Sequence, residues 1–307
     1  MEIILNQPYS FCQLGKRGNQ EDSRFPDDDA PQGYKAAFVV CDGVGGQDKG
    51  EVASRTVADA FGEYLENTDL SKPFTTEDFS KALGFAFDAL QKRMKGDSKQ
   101  MATTLTFVCF HSDGVFMAHM GDSRIYHIRP NAGILYQSED HSLVNALVHS
   151  GNITPEEAIN HPQGNVITRC MGYVAPGQNR PTATTYSTKD VEAGDYFFLC
   201  SDGVLHKLDD TQLLGILSSD KNDKDKLEYI ADLSKNSSDN NTAYLIGVKE
   251  VLAELDNACE EEVEELPTPT TSTTTTPLQN KQPIAREVEP GEQKSSKFSQ
   301  FIKNLFK

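Results

Sequence analysis

Apolar residues in the first half of the chain fall into short runs that change period. From Tyr34 to Val40 they form a continuous strand-like run, broken by Asp42-Gly43-Val44-Gly45-Gly46, whose glycines permit unusual φ angles and close backbone approach. Beyond it Ala53, Val57, Phe61 and Leu65 recur every fourth residue, which predicts an amphipathic helix. Phe79, Leu83, Ala86, Leu90 and Met94 predict a second helix, started by the capping pair Thr75 and Asp78. Strand patterns resume at 104–110, 115–120, 124–128 and 134–137, punctuated by the turn signals Asp113-Gly114 and Pro130-Asn131-Ala132-Gly133. This block reads as an antiparallel meander.

A polar insertion follows, in which Thr154-Pro155-Glu156-Glu157 supplies an N-cap, a proline at the first helical position and a glutamate at the third. Its position makes it a candidate flap. Further strands are expected at 184–188, 196–201 and 243–248, with helical stretches around 212–217 and 226–233. Strands grouped around two helix pairs predict two packed sheets with helices outside.

After Val251 the character changes. Glu254 to Glu265 is acidic, Leu266 to Pro277 is rich in Pro and Thr, and Gln279 to Ser296 is polar. Such composition cannot build a core, so a domain over 1–252 is expected to give way to a disordered linker over 253–296. Residues 297–307 place Phe298, Phe301, Ile302, Leu305 and Phe306 on one helical face with lysines outside it. This predicts a short basic amphipathic helix that folds only against a partner protein or a membrane surface.

With 307 residues, 37% of them hydrophobic, the body is large enough for a substantial core. The net charge of -17 argues against a nucleic-acid partner, whose phosphates reward Lys and Arg clusters, and suits a site that concentrates cations. The six cysteines (Cys12, Cys41, Cys109, Cys170, Cys200 and Cys259) contain no CxxC pair, and three sit inside apolar runs. They read as small buried hydrophobes in a reducing compartment rather than a disulfide framework. No stretch approaches the roughly 20 apolar residues that span a bilayer, and no signal-peptide pattern is present. A cytoplasmic location is expected.

The chemistry lies in four acidic segments, each read as ending a strand-like run: Arg17-Gly18-Asn19-Gln20-Glu21-Asp22, Cys41-Asp42-Gly43-Val44-Gly45-Gly46, Ser201-Asp202-Gly203 and Asp239-Asn240-Asn241-Thr242. Brought together, they make a carboxylate cage for hard divalent metals, which prefer carboxylate and carbonyl oxygens and can hold a phosphate in line with an activated water. Singly they are weak signals. Asp-Gly-Val-Gly-Gly can be only a tight turn, Gly121-Asp122-Ser123-Arg124 a hairpin corner, and Asp239-Asn240-Asn241-Thr242 an Asx-turn.

Their order says more. Arg17 with Glu21 and Asp22, then Asp-Gly-Val-Gly-Gly, Thr103-Thr104, Gly-Asp-Ser-Arg, Ser-Asp-Gly and Asp-Asn-x-Thr resemble, over roughly residues 10 to 250, the metal-dependent serine/threonine protein phosphatases. This is the type 2C or PPM family, and the similarity is strongest to its compact bacterial members. The resemblance implies an α+β fold, a β-sandwich of two antiparallel sheets flanked by helix pairs in four αββα layers. Two Mn²⁺ or Mg²⁺ ions would sit at one end of the sandwich, with a weak third beside them.

By the same resemblance Asp42 is the carboxylate shared by both ions and Gly43 offers its carbonyl oxygen to one. Asp202 and Asp239 hold the other ion, and Glu21 and Asp22 bind directly or through ordered water. Asp122, with Asp202, serves the third ion, and Asn240 orients its neighbours. Arg17 binds phosphate, a task that suits a planar guanidinium. The implied reaction is hydrolysis of phosphoserine and phosphothreonine in proteins by a metal-bridging hydroxide, without a phospho-enzyme. Cys41 lacks the phosphate-cradling loop that a cysteine nucleophile requires.

Analogy adds a eukaryotic-like Ser/Thr kinase, or that kinase's substrates, as partners. The rival readings are a catalytically weak pseudophosphatase that binds through its tail, and a hydrolase of small phosphate esters. Two residues depart from the family pattern. Val44 stands where many eukaryotic members have a histidine that protonates the leaving oxygen, and His206 stands where relatives often carry an acidic residue for the third ion. The stretch from Ser138 to Arg169 resembles the family's mobile flap, in which His141 and His161 are read as exposed residues that contact substrate or are merely solvated.

Overall fold

The computed structural model describes residues 1–33, 35–44, 49–95, 101–159, 161–175 and 177–252. The linker, the terminal amphipathic segment and Cys259 lie outside the described residues. In chain order the elements are β1 (Glu2–Leu5), β2 (Tyr9–Gln13), β3 (Asp22–Phe25), β4 (Ala37–Asp42), α1 (Gly50–Glu66), α2 (Thr76–Met94), β5 (Leu105–His111), β6 (Gly114–Met120), β7 (Arg124–Arg129) and β8 (Gly133–Gln137). They continue with α3 (Leu143–His149), α4 (Pro155–Ala158), β9 (Thr184–Thr188), β10 (Tyr196–Cys200), α5 (Asp202–Leu205), α6 (Asp210–Leu217), α7 (Asp223–Ser234) and β11 (Asn241–Leu252).

One antiparallel sheet has the order β3-β4-β5-β6-β9. The other runs β1-β11-β10-β7-β8, and β2 pairs with the first half of the long β11. Three apolar layers hold the stack. Phe61, Phe79, Phe107 and Phe116 pack between the first sheet and α1 and α2. Phe38, Val40, Val108, Phe197, Leu199 and Ile246 fill the space between the sheets. Phe198, Leu213, Leu217, Leu227 and Ile230 lie under α6 and α7.

The layers explain the sequence pattern. Side chains alternate faces along a strand, so in β4 Ala37, Val39 and Cys41 face the helices while Phe38 and Val40 face the other sheet. Both faces are dry, so the strand reads as a continuous apolar run instead of an alternation. The helices expected from periodicity are present, and α2 and α4 each start with a complete capping box, at Thr75/Asp78 and Thr154/Glu157. No helix among the described residues is long and apolar enough to cross a membrane. Cys41, Cys109 and Cys200 are buried, Cys12 and Cys170 are half-buried, and all five are free thiols.

Three expectations need correction. The strand expected from Tyr34 begins at Ala37 and runs on to Asp42. The segment 104–137 is not one meander, because β5 and β6 pair in one sheet while β7 pairs with β8 and β10 in the other. The chain crosses between sheets at Gly121, which has φ +109° and where a Cβ would lie 2.6 Å from Thr104 Cγ2. Nor do all four acidic segments end strands: Asp42 closes β4 and Ser201 follows β10, but Asp22 opens β3 and Asp239-Asn240 lead into β11. Antiparallel neighbours put the start of one strand beside the end of the next, so both kinds of segment reach the same end of the sandwich.

At the opposite end of β10, the buried Asp195 braces the second sheet. Its carboxylate accepts from Arg129 Nε (2.8 Å), Arg129 Nη2 (2.9 Å) and Glu192 N (2.9 Å), and lies 2.9 Å from His127 Nε2. Burial alone would raise the Asp195 pKa, but the bonds from His127 and Arg129 outweigh it and bring the pKa down to about 2. A depressed carboxylate contributes stability above its unfolded pKa of about 3.9 and loses it as pH falls through the folded value. Asp195→Asn is therefore expected to cost about 2 kcal/mol in urea unfolding at pH 7, with the gap to wild type closing between about pH 4 and pH 2. A gap independent of pH would show that the carboxylate charge is not what matters.

Candidate metal centre and active site

Asp42 is held by its main chain. Thr104 N donates to Asp42 O (2.8 Å), Thr103 Oγ1 donates to the same oxygen (2.8 Å), and Asp42 N donates to Thr104 Oγ1 (2.9 Å). Thr104 Oγ1 also lies 2.8 Å from Ser123 Oγ, tying the Gly-Asp-Ser corner to β4. Across the pair β3–β4, Asp22 stands in register with Asp42. Asn240 gathers the remaining loops: its Nδ2 donates to Leu14 O (2.9 Å) and Asn19 O (3.0 Å), and its Oδ1 accepts from Glu21 N (2.8 Å).

These restraints surround one cavity of about 200 Å³. Glu21, Asp42, Asp122, Asp202 and Asp239 line it together with Gly43, Val44, Thr104, Asn165, Ile167 and, at the rim, Arg17. Six of the seven predicted metal ligands therefore meet there. The seventh, Asp22, does not: it is buried behind the wall, where its Oδ2 accepts from Ser201 Oγ at 2.8 Å. Ser201 Oγ in turn accepts from Thr242 N (3.0 Å). Asp22 thus locks the strand end that carries Asp202 onto the start of β11.

No three of the carboxylates close into a ready-made ligand cluster among the described residues; they line the cavity from several sides. Their electrostatics show what the cavity lacks. The Asp42 pKa is pushed well above the usual carboxylate range, first by burial and then by the charges of Asp22, Asp202 and Asp122. Burial and Asp202 push Asp122 up to about 7, and burial raises Asp202 and Glu21 as well. Asp22 Oδ1 and Asp202 Oδ1 are buried with no hydrogen-bond partner. Carboxylates crowded around one space that repel one another, Asp202 with an unpaired buried oxygen among them, call for cations. The donor set is all oxygen, carboxylates plus the Gly43 carbonyl, which fits Mg²⁺ or Mn²⁺ and not a soft metal.

Arg17 Nη2 donates to Asp239 Oδ2 at 2.6 Å, so the guanidinium expected to bind phosphate rests on a carboxylate expected to bind metal. His206 Nε2 lies 3.6 Å from Asp202 Oδ2, beside the site. Val44 lines the cavity with an apolar side chain and donates its N–H to Ala102 O (3.0 Å).

The insertion is pinned to the same corner. Arg124 grips Asp140 through Nε (2.7 Å) and Nη2 (2.8 Å), and Thr168 N donates to His141 O (2.7 Å). His141 is not the exposed residue read from sequence. It is half-buried, stacks on His119 with centroids 4.5 Å apart, and accepts from Gly121 N at Nδ1 (3.1 Å). Burial, with His119 and Arg169 nearby, lowers its pKa to about 3. His161 is likewise half-buried and accepts from Gln163 N at Nδ1 (3.2 Å).

Sequence reasoning did not assign Ser123, Ser201, Asn165 or Ile167 to the site. Ser123 and Ser201 stand inside recognised motifs, beside the carboxylates they position. Asn165 and Ile167 carry no local signal, since only the fold of the insertion brings them over the cavity.

A family model described as protein phosphatase 2C matches residues 19–274. Protein phosphatase PhpP of Streptococcus pneumoniae is 31% identical over 226 residues, covering 72% of this chain and 89% of its own. The crystal structure of the serine/threonine phosphatase Stp1 from Staphylococcus aureus superposes with a TM-score of 0.67 at 29% identity, covering 81% of this chain and 98% of that one. The catalytic domain of the serine/threonine protein phosphatase PstP, solved in complex with two manganese ions, gives a TM-score of 0.65 at 26% identity, covering 81% and 100%.

Proposed function

The chain belongs to the protein phosphatase 2C family, and on that premise we propose how its own residues carry out a metal-dependent hydrolysis of phosphoserine and phosphothreonine in proteins. It is an enzyme, a protein serine/threonine phosphatase, and its fold is that of the solved bacterial members. The observation that carries the site assignment is the convergence of five carboxylates and one guanidinium, from both sheets, on a single cavity.

We propose that two ions, Mn²⁺ or Mg²⁺, would be held here, with Asp42 serving both, Glu21 and the Gly43 carbonyl serving one and Asp202 and Asp239 the other. Asp122 with Asp202 offers a weaker third position. When bound, the ions activate water for attack on phosphorus and neutralise charge on the phosphate oxygens. Asp22 and Asn240 act by positioning: one fixes the strand end before Asp202, the other fixes Glu21 N. Arg17 leaves Asp239 and places two N–H donors on the phosphate oxygens, where its planar fork fits. Val44 has no proton to give, so the departing serine or threonine oxygen takes its proton from water. The location is read as cytoplasmic, and a Ser/Thr kinase of the same cell or that kinase's targets are read as substrates, by family analogy.

Release of phosphate from a phosphothreonine peptide is expected with Mn²⁺, to stop with EDTA and to return when Mn²⁺ is restored. Release that persists in EDTA would exclude the metal centre. A folded protein that releases nothing with Mn²⁺ would favour the binding-module reading.

A further inference from the structure

The exit of the insertion separates two cavities. Asn165 and Ile167 face the carboxylate cavity, whereas Thr168, Arg169 and Tyr173 line a neighbouring one of about 380 Å³. That volume is within the range of about 300–1,000 Å³ of ligand pockets. Its inner side is formed by Met101 and Ala102, both buried. The segment is fixed there by a reciprocal pair of bonds, Thr103 N to Met171 O (2.9 Å) and Met171 N to Thr103 O (2.8 Å). Thr103 is also the residue whose hydroxyl bonds the Asp42 carbonyl, so the two cavities share a braced wall.

The same stretch is unusually apolar on its outside. Ile159 (78% exposed) and Tyr173 (64%) are the two most exposed large apolar side chains among the described residues, and Val166 (41%) lies between them. Scattered exposed apolar residues are ordinary, but Tyr173 is one that also lines the second cavity.

Resting on the phosphatase reading above, we propose that this second cavity takes an apolar side chain of the substrate polypeptide, from a residue flanking the phosphorylated serine or threonine, with Tyr173 at its mouth. A polypeptide whose phosphoresidue enters the carboxylate cavity can run its main chain over the shared wall. An extended chain advances about 3.3 Å per residue with alternating side chains, so a near neighbour is brought over the second cavity. Gln178 and Asn179 line it with amides suited to main-chain N–H and C=O groups. Met101, Ala102, Val174 and Pro181 give the cavity an apolar side, which an apolar side chain complements. A nucleotide or a small phosphate ester offers no such group.

The test compares kcat/KM of the full chain with Mn²⁺ on phosphothreonine peptides that differ only in having leucine or glycine at one flanking position, alongside p-nitrophenyl phosphate. The expected result is a preference of about tenfold for leucine at one position. Tyr173→Phe keeps that preference and Tyr173→Ala reduces it to about twofold or less, with the melting midpoints of both equal to wild type because the side chain is exposed. Turnover of p-nitrophenyl phosphate and peptides without preference at any position overturns the second cavity alone. A preference that survives in Tyr173→Ala does the same. Absence of metal-dependent turnover on every substrate overturns the phosphatase reading, and the second cavity falls with it.

Discussion

Asp42→Asn is expected to lower kcat on a phosphothreonine peptide by on the order of 10³-fold at saturating Mn²⁺, because it removes the one carboxylate proposed to touch both ions. The same change leaves the melting midpoint of the metal-free protein equal to wild type or slightly above it. Asp42 is half-buried beside Asp22, Asp202 and Asp122, and its removal from water, followed by their charges, pushes its pKa well up. A carboxylate raised in the folded state opposes folding wherever it is ionised, so a neutral amide of the same shape relieves repulsion. What the variant loses is the rise in melting midpoint that Mn²⁺ produces in wild type, since an ion that binds only the folded state stabilises it by mass action. Thermal scans with and without Mn²⁺, run beside the peptide assay, check both parts. Wild-type turnover, or a wild-type Mn²⁺ shift, would remove Asp42 from the metal set.

Gly203→Ala is expected to lose on the order of 10² in kcat/KM and about 3 kcal/mol of stability, although it adds one methyl group to a residue that touches no substrate. A Cβ at Gly203 would overlap the main-chain carbonyl oxygen of Asn240 and stand 2.9 Å from its carbonyl carbon. Neither atom can swing away as a side chain could. The turn after Asp202 and the lead into β11 would have to separate, moving Asp202 away from Asp239 and straining the bonds that Asn240 donates to Leu14 and Asn19 and accepts from Glu21 N. The glycine of Ser-Asp-Gly is therefore a spacing device, independent of any unusual φ. Urea unfolding and peptide kinetics measure the two effects. A variant as stable and active as wild type would mean that these two segments do not set the distance between the carboxylates.

Much of this was legible in the sequence, and the parts that were not share a cause. The periodicity of Ala53 to Leu65 and of Phe79 to Met94, and the capping boxes at Thr75 and Thr154, are local signals, and α1, α2 and α4 formed where they stood. The strands β1, β2 and β3 and the four-residue α5 left no comparable trace, because short mixed segments are decided by the neighbours they pair with. The meander reading failed at Gly121 because turn residues show that the chain reverses but not which sheet receives the next strand.

By itself the sequence determined the α+β class, the helices with clear periodicity or capping signals, the family and the residues able to donate hard oxygen ligands. Each of these is written in a few neighbouring residues or in the order of short motifs. Only the tertiary structure decided that Glu21 faces the cavity while Asp22 stands behind it on Ser201. It alone set Arg17 on Asp239, folded His141 onto His119, and made the exit of the insertion a wall between two cavities. The physical reason is strand register. Neighbouring residues of an extended chain point to opposite faces, and pairing between strands far apart in sequence, such as Gln13 of β2 with Asn241 of β11, fixes which face becomes the site.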